Sequence, residues 1–210
     1  MTKLHRHPRP AAALLAVLCA SAAFAGTVTV NATTRAGTAA EDTVIVFDPL
    51  DAAPPASRNE AIIDQVNKKF VPRVSVVRTG TTITFPNSDR IRHQVYSFSR
   101  TKTFDLKLYA GSPKTPVIFD QPGLVVLGCN IHDSMVAFVG VVDSPYFAKT
   151  TDSGAVSLNL PPGRYRLRAW NPNAVAAIPA REVTVAAAPL SIPVSLDLDP
   201  ASAAPAAWPE

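Results

Sequence analysis

Apolar and polar residues alternate along most of this chain in short runs, the pattern of half-buried strands. The runs are Thr27–Asn31, Asp42–Phe47, Arg73–Val77, Thr81–Phe85, Gln94–Ser99 and Thr115–Phe119. They continue as Val125–Gly128, Val136–Val142, Val156–Leu160, Tyr165–Ala169, Glu182–Ala186 and Ser191–Leu196. Arg73–Val77 and Thr81–Phe85 read as a pair joined at Thr79-Gly80, and a single helical turn is expected near Ala61–Lys68. Twenty prolines leave little room for longer helices. Short strands with turn signals at regular intervals predict an all-β sandwich. The end of the chain, Asp199–Glu210, is rich in Pro and Ala, carries no such pattern, and is expected to be a disordered tail.

One segment stands apart from the strand pattern. Lys3, Arg6 and Arg9 precede a small, apolar run from Ala11 to Ala25 that ends in Ala23-Phe24-Ala25. A basic start, an apolar stretch and an A-x-A site make a secretory signal peptide. The apolar stretch, at about 15 residues, falls short of the ~20 that span a bilayer, and no later run is long enough, so no membrane span is expected. Leu18 before Cys19 is too bulky for a lipoprotein cleavage site. Export to the periplasm is the expected localisation. Removal of the leader takes three basic residues and no acidic one, which lowers the formal net charge from +4 to +1. The calculated pI of 9.3 therefore owes much to the leader, and no nucleic-acid footprint remains.

The same cleavage changes the inventory of metal-binding side chains. Of two Cys, two Met and four His, the mature chain keeps Cys129, Met135, His93 and His132. A single cysteine in an exported chain forms no internal disulfide, so it is a free thiol or a ligand. Cys129-Asn130-Ile131-His132-Asp133-Ser134-Met135 sets a thiol, an imidazole and a thioether at C-x2-H-x2-M spacing between two strands. Soft sulfur suits Cu(I), imidazole suits both oxidation states, and two His with one Cys and a weak axial Met form the blue-copper electron-transfer set. The second histidine has one candidate, His93, at the start of the strand Gln94–Ser99. It meets the Cys129 loop at one pole of a sandwich if the two strands are neighbours.

These residues resemble the cupredoxins, the plastocyanin-like blue-copper proteins, and the C-x2-H-x2-M loop is similar to that of amicyanin. Phe70-Val71-Pro72, the run Gly80-Thr81-Thr82-Ile83-Thr84-Phe85-Pro86-Asn87-Ser88-Asp89, and Phe104-Asp105-Leu106 resemble a periplasmic subgroup called methylamine-utilisation proteins. The resemblance covers roughly residues 61–144. It implies a Greek-key β-sandwich, one type 1 copper per chain, and His93, Cys129, His132 and Met135 as its ligands. Two positions depart from the family pattern. Gln94 follows the first histidine where Asn is usual, and Ile131 precedes the loop histidine where Pro is common.

Outside this stretch a second likeness is present. Thr27–Pro49 and Thr151–Pro172, with the turn Leu160-Pro161-Pro162-Gly163-Arg164-Tyr165, resemble strands of a transthyretin-like or carboxypeptidase-regulatory-like sandwich. Breaks at Ala52–Arg58 and at Ser144-Pro145 bound the ligand-bearing part. The expected organisation is a signal peptide (1–25), an N-terminal β segment (26–57), a cupredoxin domain (58–144), a C-terminal β segment (145–198) and a tail (199–210). Either the copper domain is inserted into the smaller sandwich, or each end carries an independent β extension.

Competing chemistries fit less well. Structural zinc does not use a thioether, so Met135 counts against it. A two-copper purple centre needs a second cysteine, and a copper enzyme such as nitrite reductase needs further histidines. Cys129 with His132 as a nucleophilic pair lacks an oxyanion-hole motif and has no use for Met135. Asp42, Asp48 and Asp51 match no calcium loop, and Tyr165 and Trp170 read as core rather than sugar-binding residues. Arg90, Arg92, Arg100 and Lys102 flank His93 and offer a rim for an acidic partner, although solvated faces collect charge in any protein. The expected function is single-electron carriage in the periplasm, without bond-making catalysis. The expected partners are a c-type cytochrome or a periplasmic dehydrogenase, and copper delivery is the alternative.

Overall fold

The computed structural model describes residues 25–51, 59–113, 115–201 and 205–209, and these form strands and turns with no helix. The leader, Ala25 apart, and the break at Ala52–Arg58 lie outside the described residues. In chain order the strands begin with β1 (Gly26–Thr34) and β2 (Val44–Pro49). A long middle stretch follows: β3 (Glu60–Ile62), β4 (Asp64–Val66), β5 (Lys69–Val71), β6 (Val74–Arg78), β7 (Thr81–Thr84), β8 (His93–Ser99), β9 (Lys102–Tyr109), β10 (Val117–Phe119), β11 (Gly123–Gly128) and β12 (Val136–Val142). The chain then closes with β13 (Phe147–Lys149), β14 (Ala155–Leu160), β15 (Gly163–Trp170), β16 (Arg181–Val185) and β17 (Leu190–Leu196).

The strands before and after the middle stretch pair with each other. β1 runs antiparallel to β14 and parallel to β17, and β2 lies between β13 and β15, with β16 outside. Inward residues at period two fill the space between these two sheets: Val28 and Val30 from β1, Ile45 and Phe47 from β2, Leu167 from β15, Ile192 and Val194 from β17. The middle stretch builds its own sandwich from the mixed sheet β6-β12-β11-β8-β9 and the smaller sheet β10-β7-β3. Its core holds Ile83, Phe85, Val95, Phe119, Leu127 and Val139, with Phe85, Phe104 and Phe119 in ring contact at 5.7 to 6.5 Å.

Two strands show how the sandwiches are joined. β2 and β12 are apolar on both faces, because each sheet is covered on both sides. Ile45 and Phe47 face one core, whereas Val44 and Val46 meet Val74, Phe138, Val142 and Trp170 in a third cluster. Ala137, Val139 and Val141 likewise face the middle-stretch core, opposite Phe138 and Val142. The unbroken run Val136–Val142 is therefore a doubly buried strand, and the molecule is a stack of sheets. At the return to the flanking sandwich, the buried Ser144 hydroxyl donates to the Phe47 carbonyl at 2.5 Å.

Three sequence expectations are corrected here. Arg73–Val77 and Thr81–Phe85 are not a hairpin: β6 pairs in parallel with β12, and β7 pairs with β10 and β3 in the opposite sheet. The Thr79-Gly80 turn carries the chain across the core, with Thr79 N–H donating to Val142 and Gly80 N–H to Phe119. The helical turn near Ala61–Lys68 is absent. That segment forms β3 and β4, and a two-residue turn at Asn67 and Lys68, both with positive φ, leads into β5. Such a left-handed pair matches the twist of a hairpin. Finally, residues 205–209 of the expected tail are packed. The Trp208 ring lies 5.4 Å from that of Trp170, Trp170 Nε1 donates to Ala206 O at 3.0 Å, and Arg168 donates to Pro209 O at 2.7 Å. A Cβ on Gly140 would come within 2.2 Å of the Trp208 ring, so the indole is seated on bare backbone. Proline-rich composition reports weak strand propensity, but one indole brings enough apolar area to dock the segment.

Candidate metal centre

β11 ends at Gly128 and hands the chain directly to Cys129. β8 is its neighbour, with Tyr96 opposite Gly128. A Cβ on Gly128 would sit 2.8 Å from the Tyr96 ring, so the glycine lets the two strands close beside the loop. This adjacency is the condition under which His93 meets Cys129. The pairing of β8 with β9 shifts register between His93 and Val95, an irregularity at the point where the strand delivers its first side chain to the site. His93 is fully buried.

Across the loop, Met135 N–H donates to the His132 carbonyl at 2.9 Å and Val136 N–H to Ser134 at 3.1 Å, which folds residues 129–135 tightly. The ligand atoms of His93, Cys129 and His132 all lie within 4.8 Å of one another. Cys129 Sγ is 4.0 Å from His93 Nδ1, and the two imidazole rings are 5.1 Å apart, edge to face. Cys129 is a free thiol, 4 % exposed, and Met135, 1 % exposed, belongs to the same core cluster. His132 is partly exposed, and Ile131 and Ile91 are exposed apolar residues at the same pole.

One polar atom tests whether this cluster fits a metal. His132 Nδ1 is buried and has no hydrogen-bond partner in the protein. A buried polar atom without a partner costs about 1–3 kcal/mol, and a metal ion bound beside Cys129 and His93 would supply that partner. Two imidazoles, one thiol and a buried thioether fit copper.

Behind these side chains lies a polar frame. His93 Nε2 is 2.7 Å from Asp89 Oδ2. Asp89 Oδ1 accepts from Asn67 N–H at 2.7 Å and Oδ2 from Lys68 N–H at 2.9 Å. Those bonds, the Lys68 N–H foremost, hold the Asp89 carboxyl below the usual carboxylate range. Asn87 donates to the carbonyls of Ile91 and Tyr109, and its own carbonyl accepts from Asp89 N–H, so the loop before His93 is pinned at several points. Gln65, fully buried, donates to Pro86 O and Tyr109 Oη, and Tyr109 donates to Phe85 O. Burial pushes the Tyr109 hydroxyl up to about 12. Gln94, the first departure from the family pattern, accepts from Asn130 Nδ2 at 3.1 Å and donates to Asp105 at 2.6 Å. Its extra methylene bridges β8, β9 and the Cys129 loop.

Sequence reasoning named His93, Cys129, His132 and Met135; the structure brings His93, Cys129 and His132 together and places Met135 in the core cluster that contains Cys129. It assigned no role to Asp89, Gln65, Asn87 or Tyr109. The available signal was an Asn-x-Asp run ending four residues before His93. The four basic residues do not form one rim. Arg90 and Arg92 flank His93, but Arg100 and Lys102 stand at the far end of β8, where Lys102 pairs with Asp120 at 2.9 Å.

No family model matches the chain, and no curated protein matches it. Among solved structures, the chain is similar to a purple cupredoxin from Nitrosopumilus maritimus, at 22% identity over 40% of this chain and 98% of that one, with a TM-score of 0.34. An oxidised amicyanin variant matches at 18% identity over 46% of this chain and 97% of that one, with a TM-score of 0.36. A copper-containing nitrite reductase from Thermus scotoductus matches at 23% identity over 45% of this chain, with a TM-score of 0.37, and the match spans 25% of that longer protein.

Proposed function

We propose that the chain is a single-electron carrier in which one copper ion is held by His93, Cys129, His132 and Met135. The observation that carries this reading is the convergence of ligand atoms from His93, Cys129 and His132 within 4.8 Å, with a buried Met135 in the same core cluster as Cys129. Copper bound by such a set cycles between Cu(I) and Cu(II).

The side chains of this protein hold the geometry. β8 and β11 fix His93 and Cys129 from adjacent strands, and the Asp89, Asn87 and Gln94 hydrogen bonds restrain the two loops between which the donors lie. A site that does not rearrange between oxidation states favours fast transfer. Electrons enter and leave through the partly exposed His132, next to the exposed Ile131, against the apolar surface of a protein partner. A c-type cytochrome or a dehydrogenase reached through the exported, periplasmic form is the partner class we assign. Copper delivery is the weaker reading, because ligand exchange with a receiving protein calls for an accessible thiolate, and Cys129 is 4 % exposed.

Adding one equivalent of Cu(II) to the purified protein tests the proposal. The expected result is an intense blue absorption with narrow copper hyperfine splitting. A pale adduct with wide splitting contradicts it.

A further inference from the structure

We infer that Asp89 is the positioning residue of this site: clamped by the Asn67–Lys68 turn, its carboxylate accepts a hydrogen bond from His93 Nε2–H and leaves Nδ1 as the lone-pair nitrogen facing Cys129. The inference rests on the copper reading for its consequence, but not for its geometry.

A carboxylate accepts and does not donate. With Asp89 Oδ2 at 2.7 Å, His93 Nε2 carries the hydrogen, and a neutral imidazole then has its lone pair on Nδ1. Nδ1 is the nitrogen that faces the thiol, at 4.0 Å from Cys129 Sγ. His93 is fully buried, so no solvent competes for either nitrogen. A carboxylate free to rotate would not fix a ring in this way. Asp89 is not free, because Asn67 N–H holds Oδ1 and Lys68 N–H holds Oδ2. These two N–H groups are consecutive in the chain and converge on one carboxylate because both residues adopt left-handed φ, at 53° and 59°. The β4–β5 turn thus reaches His93 through Asp89, while β4 holds the loop before His93 through Asp64, which accepts from the Ser88 hydroxyl, and Gln65, which donates to Pro86 O.

Two consequences follow. The fixed tautomer keeps the ring ready to ligate without reorientation, as carboxylates behind ligating histidines do in general. The fixed negative charge behind the ring also makes Nδ1 a stronger donor, which favours Cu(II) over Cu(I).

The test uses the full chain with Asp89→Asn, which keeps an acceptor oxygen and removes the charge, and Asp89→Ala, which removes both. The first readout needs no copper: nitrogen-15 NMR of the histidine rings in the metal-free protein. The expected result is the Nε2–H tautomer of His93 in wild type and Asp89→Asn, and a mixed or Nδ1–H population in Asp89→Ala. The second readout is copper itself. Asp89→Asn is expected to shift the one-electron equilibrium toward the reduced form by about tenfold, which is about 59 mV. Asp89→Ala is expected to lose about 10- to 100-fold in Cu(II) affinity. A wild-type Nδ1–H tautomer, or a tautomer unchanged in a folded Asp89→Ala protein, overturns the inference. So does an unshifted potential in Asp89→Asn, which is measurable even if the alanine variant fails to fold. A wild-type protein that shows no blue copper site overturns the electron-carrier reading instead, while the tautomer measurement still decides the role of Asp89.

Discussion

At the scale of single residues, Cys129 and Met135 carry different parts of the proposed function. Thiolate-to-copper charge transfer produces the blue colour, so Cys129→Ser is expected to abolish it while leaving the fold, since serine is close in size. Absorption of the copper-loaded variant checks this; an unchanged spectrum would mean that the thiol does not ligate. Met135→Leu conserves volume in the core and is expected to cost less than about 1.5 kcal/mol of stability. A weak axial thioether stabilises Cu(II) more than Cu(I), so Met135→Leu should raise the potential with the colour retained. Met135→Gln, with a harder oxygen donor, should lower it. Voltammetry separates the three, and equal potentials would place Met135 outside the metal's reach. The four proposed ligands could be named from the sequence because ligand chemistry depends on residue type, and cleavage of the expected leader would leave no other Cys, Met or His. Asp89 and Gln65 were not. A lone Asp in a polar loop looks like any turn residue, and only the fold shows that Asp89 faces His93 and that Gln65 lies fully buried under the same loop.

At the scale of elements, period-two alternation located most strands but not their partners. The Thr79-Gly80 turn has hairpin chemistry, yet sheet membership is decided by which face each flanking strand must bury, and β6 and β7 serve opposite sheets. β9 went unread because its outward Lys and Thr residues and its edge position dilute the pattern, although Phe104 and Leu106 point inward. The contact that brings β8 against β11 gives a sharp test. Gly128→Ala forces a methyl group toward the Tyr96 ring and is expected to cost about 1–3 kcal/mol. Pairing it with Tyr96→Ala should recover much of that loss, and a denaturant double-mutant cycle measures the coupling. Additive losses would mean that the ring is not what the glycine accommodates.

Tyr109 gives a prediction in pH. Its folded-state value, about 12, stands above the ordinary tyrosine value of about 10. A raised acid favours the folded state below the unfolded value, and the advantage is lost as pH rises from about 10 toward 12. Spectrophotometric titration should show at least one tyrosine ionising late, followed by loss of structure; simple titration of all tyrosines at ~10 contradicts the burial of the Tyr109 hydroxyl.

At the scale of the whole molecule, the sandwich that carries His93, Cys129 and His132 is inserted between strands that pair with each other, and the doubly apolar runs β2 and β12 form the seam. The run Val136–Val142 signalled a buried strand, but nothing in one sequence says what covers its second face. Trp208 contributes to that cover. Trp208→Ala is expected to lower stability by about 2 kcal/mol, below the ~3–5 typical of fully buried Trp because the indole is only partly buried. The blue absorption of the folded protein should not change, and denaturant unfolding followed beside the visible band checks both parts.

Charge acts at this scale too. Arg90 and Arg92 stand at the metal pole, whereas Arg100 lies beyond the seven residues of β8. At ~3.3 Å per residue that separation exceeds the Debye length of ~8 Å at physiological ionic strength. Neutralising Arg90 and Arg92 should therefore change the rate and its salt dependence with an acidic partner, and neutralising Arg100 should change neither.

The claim that electrons, rather than copper ions, are what this protein passes on is tested by voltammetry of the copper-loaded protein through repeated cycles. A reversible one-electron wave, with the blue band bleaching and returning in full while the metal stays bound, is the predicted result. Release of copper on reduction, with the band failing to return, would contradict it and leave delivery as the function of the site.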